Sequence, residues 1–353
     1  MIIVMRLSLT AGNPVEWLAL RAGLVPAPAA QAWGGVALSG ILLAAVRAGV
    51  TQRLARHPSA PAELAADLGL DPVATGLLLE SLRSAGHVTC RGGRYRLSRR
   101  SRRWLDPAEP LSVTRFVAGT ADYWDWWGRL DETVASGRPV GHHDAPPDDP
   151  YWRRYIEGQL ELARLSADEV AARLPLRAGA RTLLDIGGGH GWYSAKLCDR
   201  HPGLTATVLD LPGSAAAGRE IIAAAGYADR VRHVDGDATT ADLGRGWDAV
   251  LAFNIVHHLS PERITELFRA VHHALVPGGV FAVLDVFADP RRRRVSAQAN
   301  ALGMFVYLSS GSRVHTTDEL RGWFGSAGFP APRRVRVLRL PGLALYTARK
   351  PTS

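Results

Sequence analysis

The stretch LLDIGGGHGWYSAKL, running from Leu183 to Leu197, decides the fold. Apolar residues and an aspartate lead into three glycines, a histidine, a fourth glycine and a helix-like run. A strand, a tight loop and a helix are predicted, an arrangement that brings backbone close to a ligand. Working outward, TLLDIG, TATVLDLP, RVRHVDGD, WDAVLAFNIV and VFAVLDVF are short apolar runs between Thr182 and Phe287. Helical segments separate the first two pairs and the last pair; a turn-rich stretch joins the third run to the fourth. Nearly continuous apolar strands alternating with helices imply a parallel sheet covered on both faces. Its ligand should lie beyond the carboxyl ends of the strands.

The loop's own residues narrow the ligand. A dinucleotide fingerprint requires G-x-G-x-x-G. Gly187 and Gly189 fit it, but Trp192 holds the third position. A P-loop needs Gly-Lys followed by Ser or Thr, which the stretch lacks. Asp185, just before the glycines, would repel a phosphate and suits a ligand with a positive group. S-adenosylmethionine has an ammonium, a sulfonium and no phosphate, and it fits that description. Asp210 ends the second run, 23 positions past Gly187, where an acid accepts both hydroxyls of a ribose. Asp237, between Gly236 and Ala238, follows the third run and is placed to meet an adenine amino group. Either acid alone reads equally well as a turn residue. Three acids at three successive strand ends make a more specific pattern than the glycines.

The chain has 353 residues, which suits two domains. Residues 1–108 read as a helical, winged-helix domain, and 109–353 as a helical linker followed by the α/β domain. Ala32 to Leu54 is apolar almost all round, as in a helix buried against a partner surface. The apolar run from Ala32 to Val46 falls short of the roughly 20 residues a membrane span needs, and Arg6 is not followed by the core of a secretory leader. Ser59 is expected to cap a helix with Pro61 in its first turn. Two helices around Asp71-Pro72 then lead to HVTCRGGRYRLS, a hairpin signal about Gly92-Gly93. A DNA-reading winged helix needs several base-contacting side chains on its second helix; LLLESLRSAG offers one arginine and many leucines. The net charge of +9 comes almost wholly from arginine and reflects composition more than a nucleic-acid partner. Two cysteines, Cys90 and Cys198, build no disulfide framework and suit the cytoplasm. Residues 111–175 are rich in aromatics, among them Phe116, Tyr123 to Trp127, Tyr151, Trp152 and Tyr155, which serve equally as core or as a lining for a flat substrate.

LLDIGGGHGWYS, VLDLPG, GDAT, NIVHHLSPE and ALVPGGVFAVLD resemble the class I methyltransferases. The winged-helix domain placed before them resembles the plant caffeate/flavonoid O-methyltransferase type and its bacterial natural-product relatives. The resemblance covers nearly the whole chain and is strongest over 181–290. It implies a Rossmann-like, seven-stranded sheet whose final strand is antiparallel, with RVRVLRL and ALYTARK as the last two strands. It also implies a homodimer formed through the N-terminal domain. The implied cofactor is S-adenosylmethionine, held by Asp185, Gly187, Gly189, Asp210, Leu211, Asp237, Ala238, Phe253 and Asn254. The implied acceptor is a small aromatic hydroxyl compound of secondary metabolism.

A phenol has a pKa near 10, so a base that removes its proton improves the nucleophile. WDAVLAFNIV runs directly into His257-His258 at a strand's carboxyl end. In the resembling enzymes a His-Asp-Trp motif supplies the base, and that histidine falls on His257. The family's supporting acid lies 28 positions later and falls on Asp285, in place of the usual Glu. His258 replaces the motif's aspartate and Leu259 its tryptophan. A second family acid falls at Val314, with His315 as its polar neighbour. The resemblance further implies acceptor contacts at Trp127, His258, Met304, Phe305 and Ser309. His272 and His273, inside a helix, are expected to be structural, and Arg291 to Arg294 to form an exposed loop. Two other functions stay open: C-methylation, with a metal held by His257, His258, Asp285 and His315 as one form of it, and a winged-helix DNA-binding regulator.

Overall fold

The computed structural model describes residues 11–141, 143–289, 297–339 and 342–352. The Arg291–Arg294 run lies outside the described residues. Contacts divide the chain into two compact units, one ending at Tyr123 and the other beginning at Trp124.

In the N-terminal unit the longest helix, Ala27–Arg47, closes with Leu43, Ala45 and Val46 buried. Ala45 and Val46 join Leu54, Leu64, Leu79 and Leu82 in one core. Farther up the helix, Trp33, Val36 and Leu38 face solvent. The helix begins five residues before the apolar run read from sequence. By length and composition alone it is therefore long enough to cross a membrane, but its last turn is built into the unit's core. Helices Pro61–Leu68 and Pro72–Ser84 follow, then a hairpin of β1 (Val88–Arg91) and β2 (Arg94–Leu97). Ser59 is not the expected cap. Its backbone pairs with Tyr95 through two hydrogen bonds of 3.0 and 2.9 Å. Ala60 takes the cap position, and the Glu63 carboxylate accepts its N–H at 3.2 Å. The hairpin edge has drawn Ser59 into strand-like pairing, which outweighs a side-chain cap worth about 1 kcal/mol. Helix Pro72–Ser84 turns Val73 and Leu77 outward, and its Arg83 is tied to Glu80 at 2.7 Å. That face carries no base-reading set.

The second unit holds β3 (Thr182–Ile186), β4 (Thr205–Asp210), β5 (Val231–Asp235), β6 (Trp247–Phe253), β7 (Leu275–Asp285), β8 (Arg333–Val335) and β9 (Ala344–Arg349). They form one seven-stranded sheet in the order β5-β4-β3-β6-β7-β9-β8. It is parallel except for β9, which runs antiparallel to both β7 and β8. The strand expected at RVRVLRL starts one residue earlier and is only three residues long. Successive residues of each strand point to opposite faces. Leu183 and Leu251 enter a core with Val170, Leu197 and Ile222; Leu184 and Val250 enter another with Ile264, Phe268, Leu320 and Phe324. Fully burying a side chain of this size contributes about 1.5–3 kcal/mol, so the central strands are firmly fixed. Register then aligns one rim: Ile186 pairs with Leu209 and Ala252, Asp210 with Asp235, and Phe253 with Leu284. Every predicted acid stands at or just past this rim.

Candidate active site

The glycine loop takes its shape from the groups around it. Gly187 has φ +65°, and a Cβ there would come within 2.7 Å of Ile255. A Cβ on Gly188 would come within 2.5 Å of the Asp185 carboxylate carbon. Only glycine fits either place. Asp185, at the end of β3, is fully buried; its Oδ2 accepts from the Ser194 hydroxyl at 2.7 Å, while its Oδ1 has no protein partner. Burial pushes its carboxyl up to about 7, and the nearby Asp210 charge adds to the rise. Asp210 accepts from the Gly189 N–H through Oδ2 and from the Leu211 N–H through Oδ1, both at 2.7 Å. Burial still raises its carboxyl to about 6. The Gly236 N–H donates to the Asp210 carbonyl at 2.9 Å, which sets Asp237 and Ala238 beside it. Asp237 is exposed, and its Oδ1 accepts from both the N–H and the hydroxyl of Thr239 at 2.8 Å.

Two supports of this loop escaped sequence reasoning. His233, read only as part of a strand, donates from Nε2 to the Gly189 carbonyl at 2.8 Å. Helix Pro150–Arg164 lies over the loop. A Cβ on Gly189 would meet Ile156 at 3.2 Å, and one on Gly213 would sit 2.3 Å from the Trp152 ring. The glycine at 213 is what lets the indole settle there. On the other side, Phe253 is buried edge-on to Tyr193, and Asn254 takes φ +54° with its N–H on the Leu284 carbonyl at 2.7 Å. That left-handed residue turns the chain sharply off β6 and into the histidine turn, Val256–His258.

His257 and Asp285 meet there. His257 Nδ1 lies 2.6 Å from Asp285 Oδ1, and the His257 N–H donates to Oδ2 at 3.2 Å. Asp285 is completely buried, and its Oδ1 also accepts from the Val286 N–H at 2.7 Å. A carboxylate held this way makes Nδ1 the donor and leaves the Nε2 lone pair as an acceptor for a proton. His315 does something different from what its position beside the absent family acid suggested. Its Nε2 donates to the Leu259 carbonyl at 3.2 Å, as Ser312 Oγ does at 2.8 Å, and together they close the histidine turn. Among the described residues, no group of three or more His, Cys, Asp or Glu side chains is placed to hold a metal. His257, His258, Asp285 and His315 do not gather about one point of coordination.

Aromatic rings lead toward this pair. Phe305 packs against Trp126 and Trp127 with centroids 6.0 and 5.9 Å apart; Trp126 meets Tyr151 at 6.3 Å. Tyr151 touches Trp152 and Tyr155, both of which meet His143, and His143 meets His258 at 4.8 Å. The His258 ring is 4.1 Å from that of His257. Met304 is half-buried beside Phe305, while Ser309 is buried with its hydroxyl on the Val306 carbonyl at 3.1 Å. His143 had no signal in the sequence, since it sits in a Pro-rich break with no periodicity. Burial pulls its imidazole down to about 4, and the charge of nearby His257 acts in the same direction.

Residues 133–330 match the family model for the O-methyltransferase domain. The chain belongs to that family. This methyltransferase is 29% identical over 305 residues to the 3-hydroxy-5-methyl-1-naphthoate 3-O-methyltransferase of Streptomyces sahachiroi, covering 84% of this chain and 87% of that one. It is 30% identical over 326 residues to the tetracenomycin polyketide synthesis 8-O-methyl transferase of Streptomyces glaucescens, covering 88% and 92%. An L-tyrosine C(3)-methyltransferase of Streptomyces lavendulae is 28% identical over 297 residues, covering 79% and 80%. Crystallised human N-acetylserotonin methyltransferase, in complex with S-adenosylmethionine, shares the fold at a TM-score of 0.81 and 20% identity, over 98% of this chain and 100% of that one. The enzyme depends on S-adenosylmethionine. Its residues fit that cofactor: a buried carboxylate oxygen without a partner faces a loop stripped of side chains, beside a second carboxylate at the next strand end.

Proposed function

We propose that the enzyme methylates the hydroxyl of a small, flat aromatic compound of secondary metabolism, with His257 as general base. The observation that carries this is the 2.6 Å contact between His257 Nδ1 and the fully buried Asp285. When bound, S-adenosylmethionine supplies an electrophilic methyl group. Asp185 and Asp210 would grip its cationic and hydroxyl groups and Asp237 its adenine amino group, with Gly187, Gly189, Leu211, Ala238, Phe253 and Asn254 around it. Asp285 fixes the His257 tautomer, so Nε2 meets the acceptor hydroxyl as a lone pair. The proton moves from that oxygen to Nε2, and the imidazolium is then stabilised by the carboxylate on its other nitrogen. General-base help of this kind is worth about 10²–10⁴-fold. Trp127, Met304, Phe305 and His258 would line the acceptor, and the run of rings from Phe305 to His143 suits a planar molecule. Ser309 acts behind them, in the helix itself.

We read the exposed apolar side chains of the N-terminal unit, Trp17, Leu18, Trp33, Val36 and Leu38, as the contact of a homodimer. Light scattering should give a dimer for the enzyme and a monomer for Trp33→Asp. Incubation with methyl-labelled S-adenosylmethionine and the host's metabolite extract tests the reaction. Mass analysis identifies the product, and NMR of it places the label on oxygen. Label on a ring carbon would replace O-methylation by C-methylation.

A further inference from the structure

Residues 137–141 and 143–149 belong to a strap fastened at both ends. At one end the Val140 N–H donates to the Leu308 carbonyl at 2.8 Å, and Pro139 lies against Gly311. At the other, Trp152 Nε1 donates to the Pro146 carbonyl at 3.0 Å, and Asp149 caps the Pro150–Arg164 helix through the Tyr151 N–H at 2.7 Å. Between the clamps His143 lies nearly parallel to Trp152, at 12°, and meets His258 at 77°. A ring pair at 77° is an edge-to-face contact, so His143 touches His258 as a packed aromatic ring.

We propose that His143 is a positioning residue for the methyl transfer, a proposal that rests on His257 being the base. Its ring, held by the strap, packs on His258, fixes the His258–His257 pair and keeps water from the imidazole that takes the proton. His143 suits this work because burial keeps it neutral above about pH 4, so it puts no second positive charge beside His257. Among the described residues, the groups that face His257 are Asp285 at the end of β7, His258 on its own turn, and His143 on the strap; His315, from the segment before helix Thr317–Ser326, stands behind Asp285. Among the described residues, the His143 imidazole is thus the one facing His257 that can be changed without removing the dyad or the turn.

The test is an NMR titration of the His257 imidazole in full-length, histidine-labelled enzyme saturated with S-adenosylhomocysteine, its signal assigned by its loss in His257→Ala. His143→Phe keeps the ring and should leave the His257 midpoint within about 0.2 pH units of the parent. His143→Gln admits water, which favours the charged imidazole, and should raise the midpoint by about 0.5 units, a threefold change in the protonation constant. Calorimetry should give both variants a Kd for S-adenosylhomocysteine within about twofold of the parent, which shows that each is folded at the cofactor end. A His143→Gln midpoint equal to the parent's, or a His143→Phe midpoint displaced as far as that of Gln, overturns the proposal. Full methyl transfer by His257→Ala would instead remove the base while leaving the titration result standing, so the two failures are separable.

Discussion

The two ends of the candidate site are built in contrasting ways. At the cofactor end, carboxylates stand at the tips of adjacent parallel strands, and Asp210 is held by the backbone N–H groups of Gly189 and Leu211, with the Gly236 N–H on its carbonyl. At the acceptor end, the rings come from helix Ala121–Gly128, the strap that carries His143, helix Pro150–Arg164 and helix Ala297–Ser310, and they hold one another side chain to side chain. Main-chain geometry sets the first end and packing sets the second. A site so divided keeps one donor fixed while its acceptor surface changes by ordinary substitution, in keeping with relatives named as O- and as C-methyltransferases.

The largest effect expected from this contrast is a clean split of kinetic constants. His257→Ala should cut turnover by about 10²–10⁴-fold and leave the Kd for S-adenosylhomocysteine nearly unchanged. A turnover equal to the parent's would end its role as base. Asp210→Ala should do the reverse, weakening cofactor binding by about 10–100-fold, since it removes charged hydrogen bonds and frees the Gly189 N–H. If calorimetry finds the affinity intact, the two ends are not divided as described.

Acidity should sharpen the same contrast. Desolvation pushes the carboxyl of buried Asp185 up to about 7 and that of half-buried Asp210 up to about 6. A cationic ligand favours their ionised forms, so cofactor affinity should rise with pH through about 6 to 7, by up to about tenfold per unit. An affinity that stays flat across that window contradicts carboxylate recognition. The same two groups act oppositely on the fold. An acid whose folded pKa exceeds its unfolded value near 3.9 binds more protons in the folded state, so these aspartates weaken the free enzyme as pH rises from about 4 to about 7. The smallest effect belongs to the outer acceptor wall: Trp127→Ala should raise KM for the acceptor a few-fold and leave kcat alone, because Trp127 is 37% exposed.

How much of each end could be read in advance follows from the same division. The strand-end places of Asp185 and Asp210 were legible because βα units impose a repeat, and a repeat of strand, acid and helix survives in a linear string; that of Asp237 was legible from the Gly236-Asp237-Ala238 turn after the third strand. The Asp285 position was legible from the resemblance, through its spacing from His257. His143 and His233 were not. His143 lies where Pro139, Pro146 and Pro147 erase any period, and His233 alternates along β5 like any inward residue. His315 stood beside the expected acid position, but only the fold reveals that it grips a carbonyl. Ser59 misled for the opposite reason: a local cap signal lost to a hairpin more than thirty residues away.

The Trp152 indole seated where Gly213 lacks a side chain has a practical outcome for anyone swapping parts between such enzymes. Helix Pro150–Arg164 and the first turn of helix Pro212–Ala224 interlock, so a chimera cut just ahead of Thr182 would import a nucleoside cradle without its roof. Crossovers belong upstream of Gly137, ahead of the strap, and a graft made there carries strap, roof and cradle as one piece.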